Sequence, residues 1–140
     1  LSLVTNVEAN QNITTDVVFE YDKDGSPKTG FKIVGPDSVQ YLNAQVANRV
    51  RNRKRNAVGQ TIDLKTDKGQ LEIEEVTQEN LFNVACAVVV DWFGFANGGK
   101  PAAFDPEQVK KIFAARRSWQ EKVIAALDRE SDFLPKADAA

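Results

Sequence analysis

The segment from Leu81 to Phe93 constrains this chain more than any other. Its run from Val84 to Val90 holds seven consecutive apolar residues. At helical spacing Leu81, Val84, Ala85, Val88 and Trp92 share one face, while Phe82, Cys86, Val89 and Phe93 line the adjacent one. A helix apolar on most sides has to be surrounded, so the other elements are expected to pack round it as a central buried helix ending in Asp91-Trp92. The run is far shorter than the ~20 residues needed to span a bilayer, so it reads as core and not as a membrane segment. With 140 residues, 42% of them apolar and 27% charged, the chain reads as one soluble globular domain over 1–140. Such a domain can fold without disulfides or a structural metal. Residues 1–12 and 136–140 read as disordered tails. The N-terminus lacks a basic segment followed by an apolar stretch, so a cytoplasmic protein is expected.

What the composition lacks is equally informative. The chain has no histidine and one cysteine. Ser-His-Asp and Cys-His nucleophile systems are thereby excluded, as is an internal disulfide, and a transition-metal site has no obvious ligands. No catalytic, cofactor-binding or metal-binding residue is expected, and the protein reads as non-enzymatic. Cys86, inside the apolar run, reads as a small core residue and not as a reactive thiol. Asp91, the single charge in that stretch, reads as a surface or capping residue.

Two short motifs invite chemistry and fail on spacing. Asp22-Lys23-Asp24-Gly25 resembles the start of a calcium loop, but Pro27, Lys28 and Thr29 stand where oxygen ligands belong and Ile33 occupies the twelfth position in place of Glu. Asn97-Gly98-Gly99-Lys100 suggests a phosphate loop, but Pro101 follows the lysine where Ser or Thr is required.

The elements follow from periodicity and caps. Val17, Phe19 and Tyr21 alternate in a strand over Asp16–Tyr21, and Phe31 and Ile33 in a second over Gly30–Val34, joined by a turn-rich loop. Asp37 with Gln40 forms a capping box for a helix over about Ser38–Asn56, with Tyr41, Leu42, Val46 and Val50 near one face. Thr61–Lys65 and Gln70–Val76 alternate again and predict a second hairpin, with Thr77 capping the central helix behind it. Residues 94–104, rich in glycine, predict irregular structure. Asp105-Pro106-Glu107-Gln108 opens a helix with Val109, Ile112 and Phe113 inward, and Ser118 with Glu121 opens a last one. That last helix carries Trp119, Val123, Ala126 and Leu127 inward and stops at Phe133-Leu134-Pro135. The order implies an α+β fold, about four helices packed beside one or two short antiparallel hairpins.

One charge run stands out. Arg49, Arg51, Arg53, Lys54 and Arg55 place five cations and no anion at the end of the first helix of a chain whose net charge is −2. They complement the helix dipole, and they are the candidate partner-binding residues. If the helix continues through Arg55, Arg51 and Arg55 share one face and Arg49 and Arg53 another, so one pair can lie beside the core while the other is free. Nucleic acid is a weaker candidate, because no aromatics interleave the cations.

The order of positions in the C-terminal half resembles the tail assembly chaperones of long-tailed (siphovirus-type) bacteriophages. The resemblance is carried by the apolar segment ending in Asp91-Trp92, a glycine-bearing loop, Phe104-Asp105-Pro106-Glu107, then Trp119 and an apolar helix closing on Phe133. In the N-terminal half it rests on the hairpin Phe19–Ile33 and the cation-rich stretch Asn48–Arg55. The segment Thr61–Val76 departs from the family pattern. The resemblance implies a chaperone that coats the tape measure protein until tail tube protein arrives, works in the cytoplasm of the bacterial host, and is absent from the finished virion. It also implies a possible homo-oligomer and, often, a longer form made by frameshifting. The competing readings are a nucleic-acid-binding module using the 49–55 run and another virion or head-tail joining protein.

Overall fold

A computed structural model describes residues 12–133. The proposed tails lie outside these residues, apart from Asn12. The first two strands, β1 (Thr14–Tyr21) and β2 (Pro27–Val34), pair antiparallel across a turn closed by the Asp22 N–H donating to the Ser26 carbonyl at 2.8 Å. Ser26 N–H also donates to the Asp24 carboxylate, which holds that carboxyl below its ordinary pKa. The register shifts between Val18 and Glu20, so Phe19 sits on a bulge. It is buried there, and its ring stacks on Trp119 at 4.3 Å between centroids.

The next element is α1 (Val39–Ala57). Its N-cap is Ser38 and not Asp37: the buried Ser38 Oγ accepts the Tyr41 N–H and donates to the Gly35 carbonyl at 2.7 Å. The sequence signature points one residue early because Asp and Ser are both strong caps, and only the turn at Gly35 decides between them.

A single 22-residue helix, α2 (Asp67–Val88), replaces the second hairpin and absorbs Thr77. Thr66 caps it by accepting the Gly69 N–H at 2.9 Å, and Gly69 leaves room for the Asp63 carbonyl, which a Cβ there would meet at 1.6 Å. The alternation that suggested a strand rested on Leu71 and Ile73, both exposed. Around them Gln70, Glu72, Glu74 and Glu75 are good helix formers, and Lys68 pairs with Glu72 one turn on. Thr77 lies within the helix, its hydroxyl donating to the Ile73 carbonyl.

The apolar run is divided between two elements. Helix α2 stops at Val88 and the chain passes directly into β3 (Val89–Phe93), which pairs antiparallel with β2. Three successive valines, Val88 to Val90, favour the extended chain that the sheet rewards. The central buried helix therefore ends three residues before Asp91-Trp92. The sheet order is β1-β2-β3, with Phe31 and Ile33 of β2 fully buried. Residues 94–104 are not wholly irregular: β4 (Ala96–Asn97) and β5 (Lys100–Pro101) form a small ribbon. Gly98 and Gly99 at φ 62° and 82° give it a type I′ turn.

Two helices complete the fold. Helix α3 (Pro106–Ala115) opens on Asp105, whose carboxylate accepts the Glu107 N–H at 3.0 Å. Helix α4 (Arg117–Leu127) follows one residue later, without a side-chain cap; Ser118 lies inside it and the expected capping box is not made. Arg116, at the junction, stacks its guanidinium on Trp119 at 4.5 Å from the ring centre. The described residues end with a 3-10 turn (Glu130–Phe133) that sets Phe133 over Gly35. The last helix is thus shorter than expected, since Leu127 and Phe133 belong to different elements. The architecture is α+β, with four helices beside small antiparallel sheets among the described residues. Its core joins Phe19 and Phe31 of the sheet to Val84 and Val88 of α2, Phe113 of α3 and Trp119 of α4. Trp92 is only half-buried, its indole N–H donating to the Ala102 carbonyl at 2.9 Å. No helix among the described residues is long and apolar enough to cross a membrane.

Candidate docking surface on the first helix

Among the described residues nine large hydrophobic side chains are exposed, and all except Tyr21 fall between Val39 and Ile73. Four of them form a stripe on α1. Val39, Leu42, Val46 and Val50 recur at three- and four-residue spacing and are 57%, 54%, 41% and 39% exposed. The spacing that groups Tyr41, Leu42, Val46 and Val50 near one face does not fix its direction, and the structure turns that face outward; only Tyr41 of the set is half-buried. The face turned towards the rest of the protein is instead Tyr41, Ala44, Asn48, Arg51 and Arg55. Ala44 is the single buried residue of the helix. Helix α1 is therefore amphipathic the wrong way round for a core helix, with its polar side in and its aliphatic side out.

The inward polarity is satisfied partly across to α2 and partly within α1. Asn48 Nδ2 donates to the Asn80 carbonyl of α2 at 3.3 Å, and Arg51 donates to Asn48 Oδ1 of its own helix. Arg55 shares a depression with Glu72, Glu75 and Glu79. The two helices run antiparallel, since Asn48 lies by Asn80 and Arg55 by Val76.

The five candidate cations thus divide by helical phase. Arg51 and Arg55 turn towards α2 and are half-buried, whereas Arg49, Arg53 and Lys54 are exposed. Among the described residues none of the five pairs with a carboxylate; the ion pairs lie elsewhere, as in Lys32–Asp16 and Arg117–Glu121. Arg49 also borders a groove of about 600 Å³ between α1, α2 and α4, where Tyr41, Asn80, Leu81 and Asp128 line the walls.

Little else in the described residues has the makings of a reactive centre. No three His, Cys, Asp or Glu side chains are grouped as a metal site requires. Burial pushes the Cys86 thiol up to about 11, which keeps it protonated and unreactive at neutral pH. The Asp22–Asp24 turn is exposed and spends one carboxylate on its own backbone. Asp91 is at the surface, accepting the Trp92 N–H.

Sequence reasoning found the cations and grouped Leu42, Val46 and Val50 on one face, but did not give the outward direction of that face. Periodicity identifies which residues share a face and is silent on which way that face points. The available signal was the opposite face, where Asn48, Arg51 and Arg55 align with Ala44 and no large aliphatic residue. Comparison with protein-family models, curated proteins and solved structures finds no match.

Proposed function

We propose that the protein is a tail assembly chaperone of a long-tailed bacteriophage. It coats the tape measure protein and gives way to tail tube protein as the tube polymerises. The observation that carries this reading is the solvent-facing aliphatic stripe of α1 beside Arg49, Arg53 and Lys54. A contiguous exposed apolar surface on a small protein marks an interaction site, and a stripe at helical spacing suits a helical client. A long client with apolar helical faces aggregates unless those faces are masked, and a small chaperone in many copies masks them reversibly through modest affinity multiplied by avidity. In the segment that departs from the family pattern, Thr61–Val76, no second hairpin forms, and residues 67–76 belong to α2. The role requires no catalysis, places the protein in the cytoplasm of the host, and leaves it out of the finished virion.

Co-expression tests the proposal. With the tape measure protein encoded near its gene, the chain should keep that client soluble and copurify with it, and mature particles should lack the chain. A tape measure protein equally soluble without the chain contradicts the proposal. Recovery of the chain in finished particles favours a structural virion or head-tail joining protein.

A further inference from the structure

We infer that the outer face of α1 takes a helix that is both amphipathic and acidic, with its Asp or Glu residues flanking the apolar stripe at the end lying over Arg49, Arg53 and Lys54. The inference rests on the docking reading above and adds the chemistry of the partner. At about 100° per residue, Arg53 continues the line of Val39, Leu42, Val46 and Val50, while Arg49 borders it on one side and Lys54 on the other. The face is therefore graded along its length, aliphatic at the N-terminal half and cationic at the C-terminal end. From Val39 to Lys54 it extends for about 22 Å, some four turns of a facing helix.

No acidic residue occurs anywhere in α1, so nothing on its own element neutralises the outward cations. The acidic residues near this helix are Glu72, Glu75 and Glu79 of α2, which lie round Arg55 on the inward side, and Asp128, which shares a groove with Arg49 without forming an ion pair with it. The outward cations are consequently available for charges that a partner brings. A partner with Lys or Arg at that end would place like charges together as the aliphatic side chains desolvate, which is the repulsive element that makes such docking selective and fixes its direction. Nucleic acid is the poorer occupant, since phosphates would satisfy Arg49, Arg53 and Lys54 while leaving Leu42 and Val46 facing water.

The test uses the intact chain and two fluorescent 18-residue helical peptides with the same leucine stripe. One carries Glu at the flanking positions of its terminal turns at one end, the other Lys there. Anisotropy at low salt should show the Glu peptide binding at least tenfold more tightly. The variant Arg49→Glu/Arg53→Glu/Lys54→Glu should reverse that preference, and Leu42→Ser/Val46→Ser should weaken binding of the favoured peptide. All five positions are exposed, and Arg49→Gln/Arg53→Gln/Lys54→Gln, which should abolish the preference without reversing it, serves if the first variant does not fold. Equal binding of the two peptides, or a preference unchanged in both charge variants, overturns the inference. So does tighter binding of a 20-base-pair DNA duplex than of the Glu peptide. A dimer that Leu42→Ser/Val46→Ser dissociates also overturns it, since a second copy then covers the face. Failure of the chaperone proposal is separable: the peptide preference can hold while the tape measure protein is ignored, and a solubilised client can coexist with no preference.

Discussion

Asp105 accepts the Glu107 N–H and leaves Pro106 at the first position of α3, where its missing donor costs nothing. Asp105→Ala should lose about 0.5–2 kcal/mol of stability in urea unfolding without altering client binding. Ser118→Ala, at an exposed position inside α4 with no capping bond, should stay within about 0.5 kcal/mol of the parent. Both residues carry the same signature in sequence. Asp105 is legible because proline and a preceding glycine-rich loop force the helix to begin there, whereas α4 starts almost directly from α3 and has no free turn for Ser118 to cap. Cys86 was legible as well, since its neighbours are apolar on both sides. Burial raises its pKa from 9.0 to about 11, so the unfolded thiol loses its proton first. This group's contribution to stability is complete below pH 9.0 and is lost as pH rises through about 11. Iodoacetamide at pH 8 should modify native Cys86 on the order of 100-fold more slowly than the urea-unfolded chain, with the native rate climbing towards pH 11. Equal rates would place the thiol in a polar, open environment.

Elements were legible where a turn bounded them and illegible where one period imitated another. The β1–β2 hairpin turns at Asp22–Pro27 and repeats its alternation through five residues, Val17, Phe19, Tyr21, Phe31 and Ile33. The segment Gln70–Val76 alternates through only two, Leu71 and Ile73, and two residues spaced by two satisfy a strand while scarcely contradicting an exposed helix. Leu71→Ser separates these readings by measurement. On the outer surface of α2 it should change stability by no more than about 0.5 kcal/mol, and as the inward residue of a strand it would cost about 2–5 kcal/mol. The passage from α2 to β3 was hidden for a related reason. A continuous apolar run does not declare its period, and only the cluster of valines at Val88–Val90 marks where the helix yields to the sheet.

For the whole molecule, the α+β class followed from element order, and so did most of the core, because Val17, Phe31, Val109, Phe113, Trp119 and Val123 lie on faces with no competing use. The candidate surface was half legible. Its cations announce themselves as a run, whereas Val39, Leu42, Val46 and Val50 carry the spacing of an ordinary core helix, and only the packing of Asn48 and Arg51 against α2 turns them outward. The proposed role thus depends on the outward aliphatic face of α1 being where the client binds. Co-expression of the tape measure protein with Leu42→Ser/Val46→Ser chain, compared with the parent by affinity recovery, tests it most directly. Both substitutions are at exposed sites and should leave the unfolding midpoint unchanged within about 0.5 kcal/mol. The account predicts that recovered tape measure protein falls by at least tenfold while the variant stays folded. Recovery equal to the parent's, from an equally stable variant, would place the client elsewhere and contradict the claim.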